Sequence, residues 1–262
     1  MPPTPLLCLS AHHTGTWFVI DAIRNHPDVA VTLRELAPFL VDGPEDEGCR
    51  SGGLWIPGDE SQVSLFHVHY APRVGSLIGD YPTGTLLPNL KWILPTLAAG
   101  MIAEWKTVIP MRDPVLSLLT MASRHPERDP VWVPLAFEEL LALGEHANAL
   151  LFPVDLLAGE FQRERLFPRM ESLTGLFHHC GFNISSEAVE QYMLGLVHGW
   201  EPPAYNVTPD SPLKQGYRRR EPAALMGLQQ LFPRAMNELY GRRLALRAGL
   251  EQLGYRDLLW WE

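Results

Sequence analysis

Cysteine is scarce in this chain of 262 residues. The three cysteines, Cys8, Cys49 and Cys180, lie far apart and form no C-x-x-C pair. This pattern indicates neither a disulfide framework nor a zinc knuckle, and it favours a reducing compartment. No apolar run approaches the ~18 residues of a membrane span, and the N-terminus lacks the charged region of a signal peptide. We therefore expect a cytoplasmic protein that does not associate with membranes.

Positive charge is also in short supply. The formal net charge is −9, which argues against a nucleic acid or an anionic membrane as the partner. The charge is uneven, because residues 213–262 contain nine basic and five acidic side chains and residues 1–212 carry the whole acidic excess. An acidic body with a basic C-terminal segment remains compatible with the local binding of a small anion.

Short apolar strands alternate with amphipathic helices along the chain. This alternation predicts an α/β fold in which helices cover both faces of a central parallel sheet, in a single domain over residues 1–262. Ligands of such sheets bind at the carboxyl ends of the strands. A loop rich in glycine, proline and acidic residues is predicted at 42–62. The predicted strands are 5–10, 63–69, 106–111 and 150–154, and the predicted helices are 16–25, 33–40, 115–124, 137–146, 164–179, 186–197 and 234–253.

The first predicted strand runs directly into a turn and a helix. Residues 10–17 read SAHHTGTW. Gly15 and the flanking Thr14 and Thr16 favour a turn that presents backbone N–H groups and hydroxyls to an anion at the start of a helix. The Walker A pattern G-x-x-x-x-G-K-[ST] is absent. The alternative is an ordinary strand-to-helix turn that Thr14 or Thr16 caps.

The same turn resembles a motif of one enzyme family. Residues 13–18, HTGTWF, are similar to the K-[ST]-G-T-T-W loop with which sulfotransferases bind the 5′-phosphosulfate of 3′-phosphoadenosine 5′-phosphosulfate (PAPS). Residues 25–28, NHPD, resemble the residues that end the next helix in this family.

A second, separate segment resembles the site where this family binds the 3′-phosphate of PAPS. There the family has R-[ND]-P after a strand, with a serine eight residues beyond the arginine. Arg112-Asp113-Pro114 follows the predicted strand 106–111, and Thr120 supplies a hydroxyl at the matching position. Ser117 and Ser123 are alternatives close by. The forked donors of arginine suit a phosphate.

Weaker matches extend the resemblance over nearly the whole chain. Residues 152–157 are similar to the family's Y-E-D-L strand end, residues 213–216 to the K-G loop that closes over the donor, and residues 250–255 to the end of its last helix. The resemblance implies a P-loop-NTPase-like sulfotransferase architecture, with PAPS as donor, 3′-phosphoadenosine 5′-phosphate (PAP) as product and no metal. The donor-binding positions that it implies are His12, His13, Thr14, Gly15, Thr16, Trp17, Phe18, Arg112, Thr120, Lys214, Gly216 and Arg218.

The resemblance also implies a histidine base. Residues 67–72, HVHYAP, are similar to the family's K-T-H-L-P segment, so His69 matches the base and His67 the lysine. Alternate residues of a strand share a face, so the two side chains point the same way. A histidine near its own pKa is suited to proton removal. Glu35 is a second candidate, because protein-tyrosine sulfotransferases use a glutamate shortly after the H-P-D segment.

One position departs from the family. His13 stands where the family has a lysine that stabilises the leaving phosphate. Histidine is charged only in part at neutral pH, although a bound polyanion favours the charged form. His13 is therefore the third catalytic candidate beside His69 and His67. The alternative is that one of the arginines at 218–220 stabilises the leaving phosphate in its place.

The implied activity is sulfonate transfer from PAPS to a hydroxyl or amine of an acceptor. The net charge disfavours a polyanionic acceptor, so we expect a small molecule that is neutral, cationic or apolar. The loop 42–62 with Trp55 and the segment 200–205 are expected to line its pocket. Two alternatives stay open: a P-loop kinase that acts on a small molecule, and a non-catalytic nucleotide-binding protein on the same fold.

Overall fold

The computed structural model describes most of the chain. The expected acceptor segments 42–62 and 200–205 lie outside the described residues. The described residues are 4–35, 63–70, 72, 92–93, 95–154, 158–162, 165–168, 170–191, 211–255 and 261.

A parallel β-sheet forms the centre of the molecule. Its strand order is β2-β3-β1-β5-β6, β4 also pairs with β3, and every pair is parallel. With helices packed against both faces, the α/β class predicted from the sequence is confirmed. The strands are β1 (Leu6–Ser10), β2 (Val31–Glu35), β3 (Val63–Tyr70), β4 (Trp92–Ile93), β5 (Lys106–Met111) and β6 (Ala149–Pro153).

Helices follow most of the strands, and a small second sheet precedes the fifth helix. Among the described residues, no helix is long and apolar enough to span a bilayer. The helices are α1 (Thr16–Arg24), α2 (Pro95–Glu104), α3 (Pro114–Arg124), α4 (Trp132–Leu143), α5 (Met170–Cys180), α6 (Pro212–Arg218), α7 (Pro222–Leu231), α8 (Pro233–Gly241) and α9 (Arg243–Gln252), and the second sheet pairs β7 (Ala158–Gln162) with β8 (Arg165–Pro168).

The alternating side chains of β1 point into two separate cores. Leu7 and Leu9 belong to the larger core, which packs the sheet against α2, α3, α4 and the C-terminal helices. Leu6 and Cys8 belong to the smaller core on the other face, with α1 and α5. Both cores exclude water from β1, because all five of its residues are buried. A strand buried on both faces explains the unbroken apolar run in the sequence.

The central position of β1 determines where a ligand site lies. The chain builds β2 and β3 on one side of β1 and then crosses to build β5 and β6 on the other. The strand order therefore reverses at β1, and the crevice at its carboxyl end is the expected ligand site of an open parallel sheet.

Three predicted helices differ from the structure. The helix predicted at 33–40 is wrong over its described part, because residues 33–35 belong to β2 and pair with β3. Apolar residues at positions 31 and 33 follow the period of a strand. The helix predicted at 164–179 begins only at Met170, because Pro168 favours an extended backbone at the residue before it. The helix predicted at 234–253 is two helices, α8 and α9, divided after Gly241, a residue of low helix propensity.

The remaining predicted elements agree with the structure within a few residues. The strand at 106–111 matches β5, and the helix at 16–25 matches α1 to one residue. The helix predicted at 137–146 starts earlier, at Trp132. Residues 186–191 of the helix predicted at 186–197 are helical, and the rest lies outside the described residues.

Candidate functional site

The turn between β1 and α1 is tight and closely packed. Gly15 adopts a left-handed backbone with φ 81°, and a β-carbon there would lie 2.7 Å from Val154 Cγ1. The Thr14 hydroxyl donates to the carbonyl of Ala11 at 3.2 Å and lies 3.4 Å from the Thr16 hydroxyl. The N-cap residue of α1 is Gly15 itself, without a side-chain cap, so the predicted alternative of a threonine-capped turn is not the one observed. The Phe18 N–H donates to the Gly15 carbonyl at 3.0 Å, so a main-chain oxygen and not a threonine hydroxyl bonds to the first turn of α1.

His13 has a strained backbone that two side chains hold in place. Its φ is 56°, a left-handed conformation that is uncommon outside glycine. Arg112 Nη1 donates to the His13 carbonyl oxygen at 3.0 Å, and Ser117 Oγ donates to the same oxygen at 3.2 Å. The two predicted phosphate motifs, 99 residues apart in the chain, are thus in direct contact.

Arg112 owes its position to the turn between β5 and α3. The Asp113 carboxylate caps α3 by accepting from the Val115 N–H at 2.9 Å, and Pro114 begins the helix. Asp113 is 2% exposed, and three C-terminal side chains hold this turn. Tyr217 and Trp261 donate to its two carboxylate oxygens, Trp261 Nε1 at 3.1 Å, while the Tyr255 hydroxyl donates to the carbonyl of Met111 at 3.0 Å.

The hydroxyl expected to accompany Arg112 is engaged elsewhere in the helix. Thr120 is buried, and its hydroxyl donates to the carbonyl of Leu116 at 2.9 Å. Ser123 does the same with Leu119 at 3.0 Å. Of the three hydroxyls that the sequence singles out in α3, Ser117 is the one that contacts the turn after β1.

A cluster of imidazole rings lies at the carboxyl ends of β1 and β3. Ser10 Oγ is 3.2 Å from His67 Nε2 and 3.2 Å from His69 Nδ1. The His12 ring stacks on the His69 ring, with centroids 4.7 Å apart and an interplanar angle of 16°. The parallel register, which pairs Ser10 with His69, produces this arrangement.

Burial keeps these imidazoles neutral at neutral pH. It lowers the pKa of His67 to about 4 and holds the pKa of His69 well below its usual range, with the neighbouring His12 and His67 adding to the effect. The pKa of His12 is likewise well below its usual range, chiefly because of burial. A neutral imidazole has a lone pair that can accept a proton, so His69 is in the protonation state that a base needs.

The charge near His13 comes from arginines. Burial, together with the nearby guanidinium groups of Arg124 and Arg112, lowers the pKa of His13 to about 3. His13 is therefore uncharged at neutral pH in the protein by itself, while Arg112 and Arg124 lie near enough to act electrostatically on the turn. Sequence reasoning missed Arg124, the last residue of α3, because its proximity depends on how α3 packs beside β1.

The aromatic candidates lie at the start of α1. Trp17 is half-buried, with its ring centroid 6.1 Å from that of His67. Phe18 is half-buried beside Phe152, at 6.5 Å. Glu35, the alternative base, ends β2 and is paired in register with His67.

The predicted K-G loop is a helix. Lys214 and Gly216 lie in α6, where Ser211 caps the helix by accepting from the Lys214 N–H at 3.3 Å. Lys214 is buried, and a β-carbon on Gly216 would lie 2.9 Å from Glu221 Oε2. The loop expected here is therefore wrong, because a proline start and a serine cap favour a helix. Arg218 is exposed at the end of α6, the helix whose Tyr217 reaches Asp113.

The described residues contain no group of three His, Cys, Asp or Glu side chains arranged to hold a metal ion. The imidazole cluster is a set of stacked and hydrogen-bonded rings, two of which contact the Ser10 hydroxyl.

Comparison with known proteins gives a structural likeness but no match in sequence. No protein-family model matches the sequence, and no curated protein matches it. The chain is similar to the mouse sulfotransferase SULT7A1 in the crystal structure of its complex with PAP, at 14% sequence identity and a TM-score of 0.49, over 96% of this chain and 88% of that chain. The fold class described above follows from the strand pairings of the chain itself.

Proposed function

We propose that the protein transfers a sulfonate group from PAPS to a hydroxyl or amine of a small acceptor molecule, with His69 as the general base. The hydrogen bond from Arg112 to the His13 carbonyl carries this proposal. It joins the segment that resembles the 5′-phosphosulfate loop to the segment that resembles the 3′-phosphate site. The first segment follows the central strand β1 and the second follows its neighbour β5, so both lie at the carboxyl edge of the sheet, where a parallel sheet binds its ligand.

The residues around the turn fit a phosphosulfate. The N–H groups at the start of α1 and the Thr16 hydroxyl are candidate donors for its oxygens, and the helix dipole favours an anion there. The Thr14 hydroxyl would join them by turning from the Ala11 carbonyl. Arg112 and Arg124 supply positive charge beside the turn. We assign the 3′-phosphate to the guanidinium of Arg112, whose planar fork suits a phosphate. The hydroxyl of Thr120 or Ser117 would join it by turning from its present carbonyl partner.

PAPS supplies the sulfonate group: the acceptor oxygen or nitrogen bonds to sulfur as the bond from sulfur to the 5′-phosphate oxygen breaks, and PAP leaves. His69 takes the proton that the acceptor loses. Its ring is neutral at pH 7 for the reason given above, and the stacked His12 ring fixes its plane. Arg112 and Arg124 stabilise the charge that develops on the leaving phosphate, the role that the family gives to lysine.

Calorimetric titration with PAP tests the donor site, with ADP and ATP–magnesium as controls. Micromolar PAP binding that weakens in Arg112→Ala is the expected result. Binding of ATP–magnesium but not of PAP would replace the proposal with the kinase alternative.

Turnover with PAPS tests the base. His69→Ala should still bind PAP while its turnover with PAPS falls by a factor of 10²–10⁴. If the wild-type protein binds PAP but shows no turnover over a panel of neutral and cationic acceptors, the non-catalytic alternative is favoured.

A further inference from the structure

Ser10 lies between two histidines, and the mechanism above gives this serine no role. Its hydroxyl lies 3.2 Å from His67 Nε2 and 3.2 Å from His69 Nδ1, and the residue is fully buried. The sheet fixes this geometry, since Ser10 is the last residue of β1 and is paired directly with His69. Two imidazoles that are not adjacent in the chain are therefore bridged by one hydroxyl.

The number of protons on the three groups limits how they can bond. A hydroxyl has one proton to donate, and a neutral imidazole carries its proton on one ring nitrogen only. If Ser10 donates to His67 Nε2, then the proton of His69 lies on Nδ1 and is donated to Ser10. If Ser10 donates to His69 Nδ1 instead, the proton of His67 lies on Nε2, and that of His69 lies on Nε2 as well.

The two arrangements differ in whether His69 can act as a base. In the first, His69 Nε2 has a lone pair and can take a proton from an acceptor. In the second, Nε2 already carries a proton and Nδ1 is occupied by the Ser10 hydroxyl. In a third arrangement Ser10 accepts from both rings and donates elsewhere, which leaves His69 Nε2 unprotonated but places the proton of His67 on Nε2. Only the first arrangement therefore combines a base at His69 with an acceptor for a relayed proton at His67.

We propose that Ser10 is a positioning residue that sets the tautomers of His67 and His69 and relays the proton between them, an inference that rests on the proposed function. When His69 Nε2 accepts the acceptor's proton, the Nδ1 proton passes to Ser10 Oγ and the hydroxyl proton passes to His67 Nε2. His69 ends neutral with its proton on Nε2, Ser10 is unchanged in charge, and His67 becomes the imidazolium. One proton enters at His69 and one charge appears on His67, so the step balances.

The difference in burial between the two rings favours transfer of the proton from His69 to His67. His69 is 7% exposed, whereas the His67 side chain is half-buried. A charge costs less where water reaches it, so the imidazolium is more stable on His67 than on His69. The relay thus moves the charge from the more buried ring to the less buried one.

Kinetics of Ser10 variants test the relay. Ser10→Ala should lower kcat by ten- to a hundredfold with the Kd for PAP unchanged, and Ser10→Thr, which keeps the hydroxyl, should recover most of the loss. Ser64→Ala is the matched control, since Ser64 is a buried serine on β3 whose register partner is Thr32 and not a histidine. A Ser10→Ala enzyme with the wild-type kcat would overturn the relay.

A measurement of tautomers separates the relay from the proposed function. ¹⁵N NMR of the imidazoles in the wild-type protein at pH 7.5, without any donor, should show both His67 and His69 protonated on Nδ1, and Ser10→Ala should shift both signals. Protonation of His69 on Nε2 would overturn the relay even if Ser10→Ala does not fold. If the protein shows the expected tautomers but binds no PAP, the relay is retained as a proton path and the proposed sulfotransferase activity is overturned.

Discussion

Arg112 donates a hydrogen bond from Nη1 to the main-chain carbonyl of His13 at 3.0 Å. A side chain at the end of β5 thereby holds a strained backbone at the end of β1. The two strands are neighbours in the sheet. This contact therefore closes one side of the crevice at the carboxyl end of β1 and links the two motifs that resemble phosphate-binding segments.

Replacing Arg112 should therefore affect both loop geometry and ligand binding. A hydrogen bond to a charged group contributes about 1.5–3 kcal/mol, so Arg112→Ala should weaken PAP binding by roughly 10- to 150-fold in calorimetry. Arg112→Lys should recover little, because an ammonium cannot reproduce the guanidinium fork. Arg243→Ala, on the exposed side of α9, serves as the control and should bind PAP like the wild type; equal affinity of all four proteins would contradict this role of Arg112.

Gly15 should tolerate no side chain. A left-handed backbone costs a non-glycine residue about 1–2 kcal/mol, and a β-carbon would meet Val154 Cγ1 at 2.7 Å. Gly15→Ala should therefore lower the free energy of unfolding and abolish PAP binding. Gly100→Ala in α2 is the matched control, because a β-carbon there has no neighbour within 4 Å, and it should stabilise by about 0.5–1 kcal/mol. Urea unfolding of both variants checks the pair, and a neutral Gly15→Ala would contradict the packing described.

The buried imidazoles should make the protein sensitive to acid. The folded pKa of His67, about 4, lies below the value of about 6.5 in the unfolded chain. The unfolded state therefore binds the extra proton between these values, so stability is complete above about pH 6.5 and declines as the pH falls toward 4.

His67→Gln removes this titration. The difference in unfolding free energy between pH 7.5 and pH 5 should then shrink by about 1–2 kcal/mol relative to the wild type. His178→Gln, at an exposed site on α5, is the control and should keep the wild-type difference. The measurement is urea unfolding at the two pH values, and an unchanged difference in His67→Gln would show that this ring titrates normally.

Trp261 should support the Arg112 turn through its hydrogen bond to Asp113. Trp261→Phe removes the donor to the Asp113 carboxylate, a hydrogen bond to a charged group, and should cost about 1.5–3 kcal/mol of stability. Tyr255→Phe removes a donor to a neutral carbonyl, that of Met111, and should cost about 0.5–1.5 kcal/mol. Thermal unfolding ranks the two variants. Both substitutions should also weaken PAP binding. A larger loss of stability in Tyr255→Phe than in Trp261→Phe would contradict the expected order.

Much of the fold follows from local sequence patterns. The apolar runs of β1 and β5 and the amphipathic period of α1 are readable because each element is buried along its length. The strand-turn-helix sequence around Gly15 and the Arg112 turn were likewise visible in the sequence, since glycine, proline and N-cap residues act on the backbone within a few positions. Local physics thus determined the α/β class and the two turns where a ligand is expected.

The tertiary structure decided what those turns contact. β2 is a strand because it pairs with β3, a partner some thirty residues further along the chain that no local window contains. The contact between Arg112 and His13, the hold of Tyr217 and Trp261 on Asp113, and the bridge of Ser10 to His67 and His69 all join residues 50 or more positions apart. The protonation of the histidines also depends on this packing, because desolvation comes from every element that covers a ring. The sequence by itself determined which chemical groups stand at the ends of the strands, and only the packing of the sheet decided which of them meet and which carry charge.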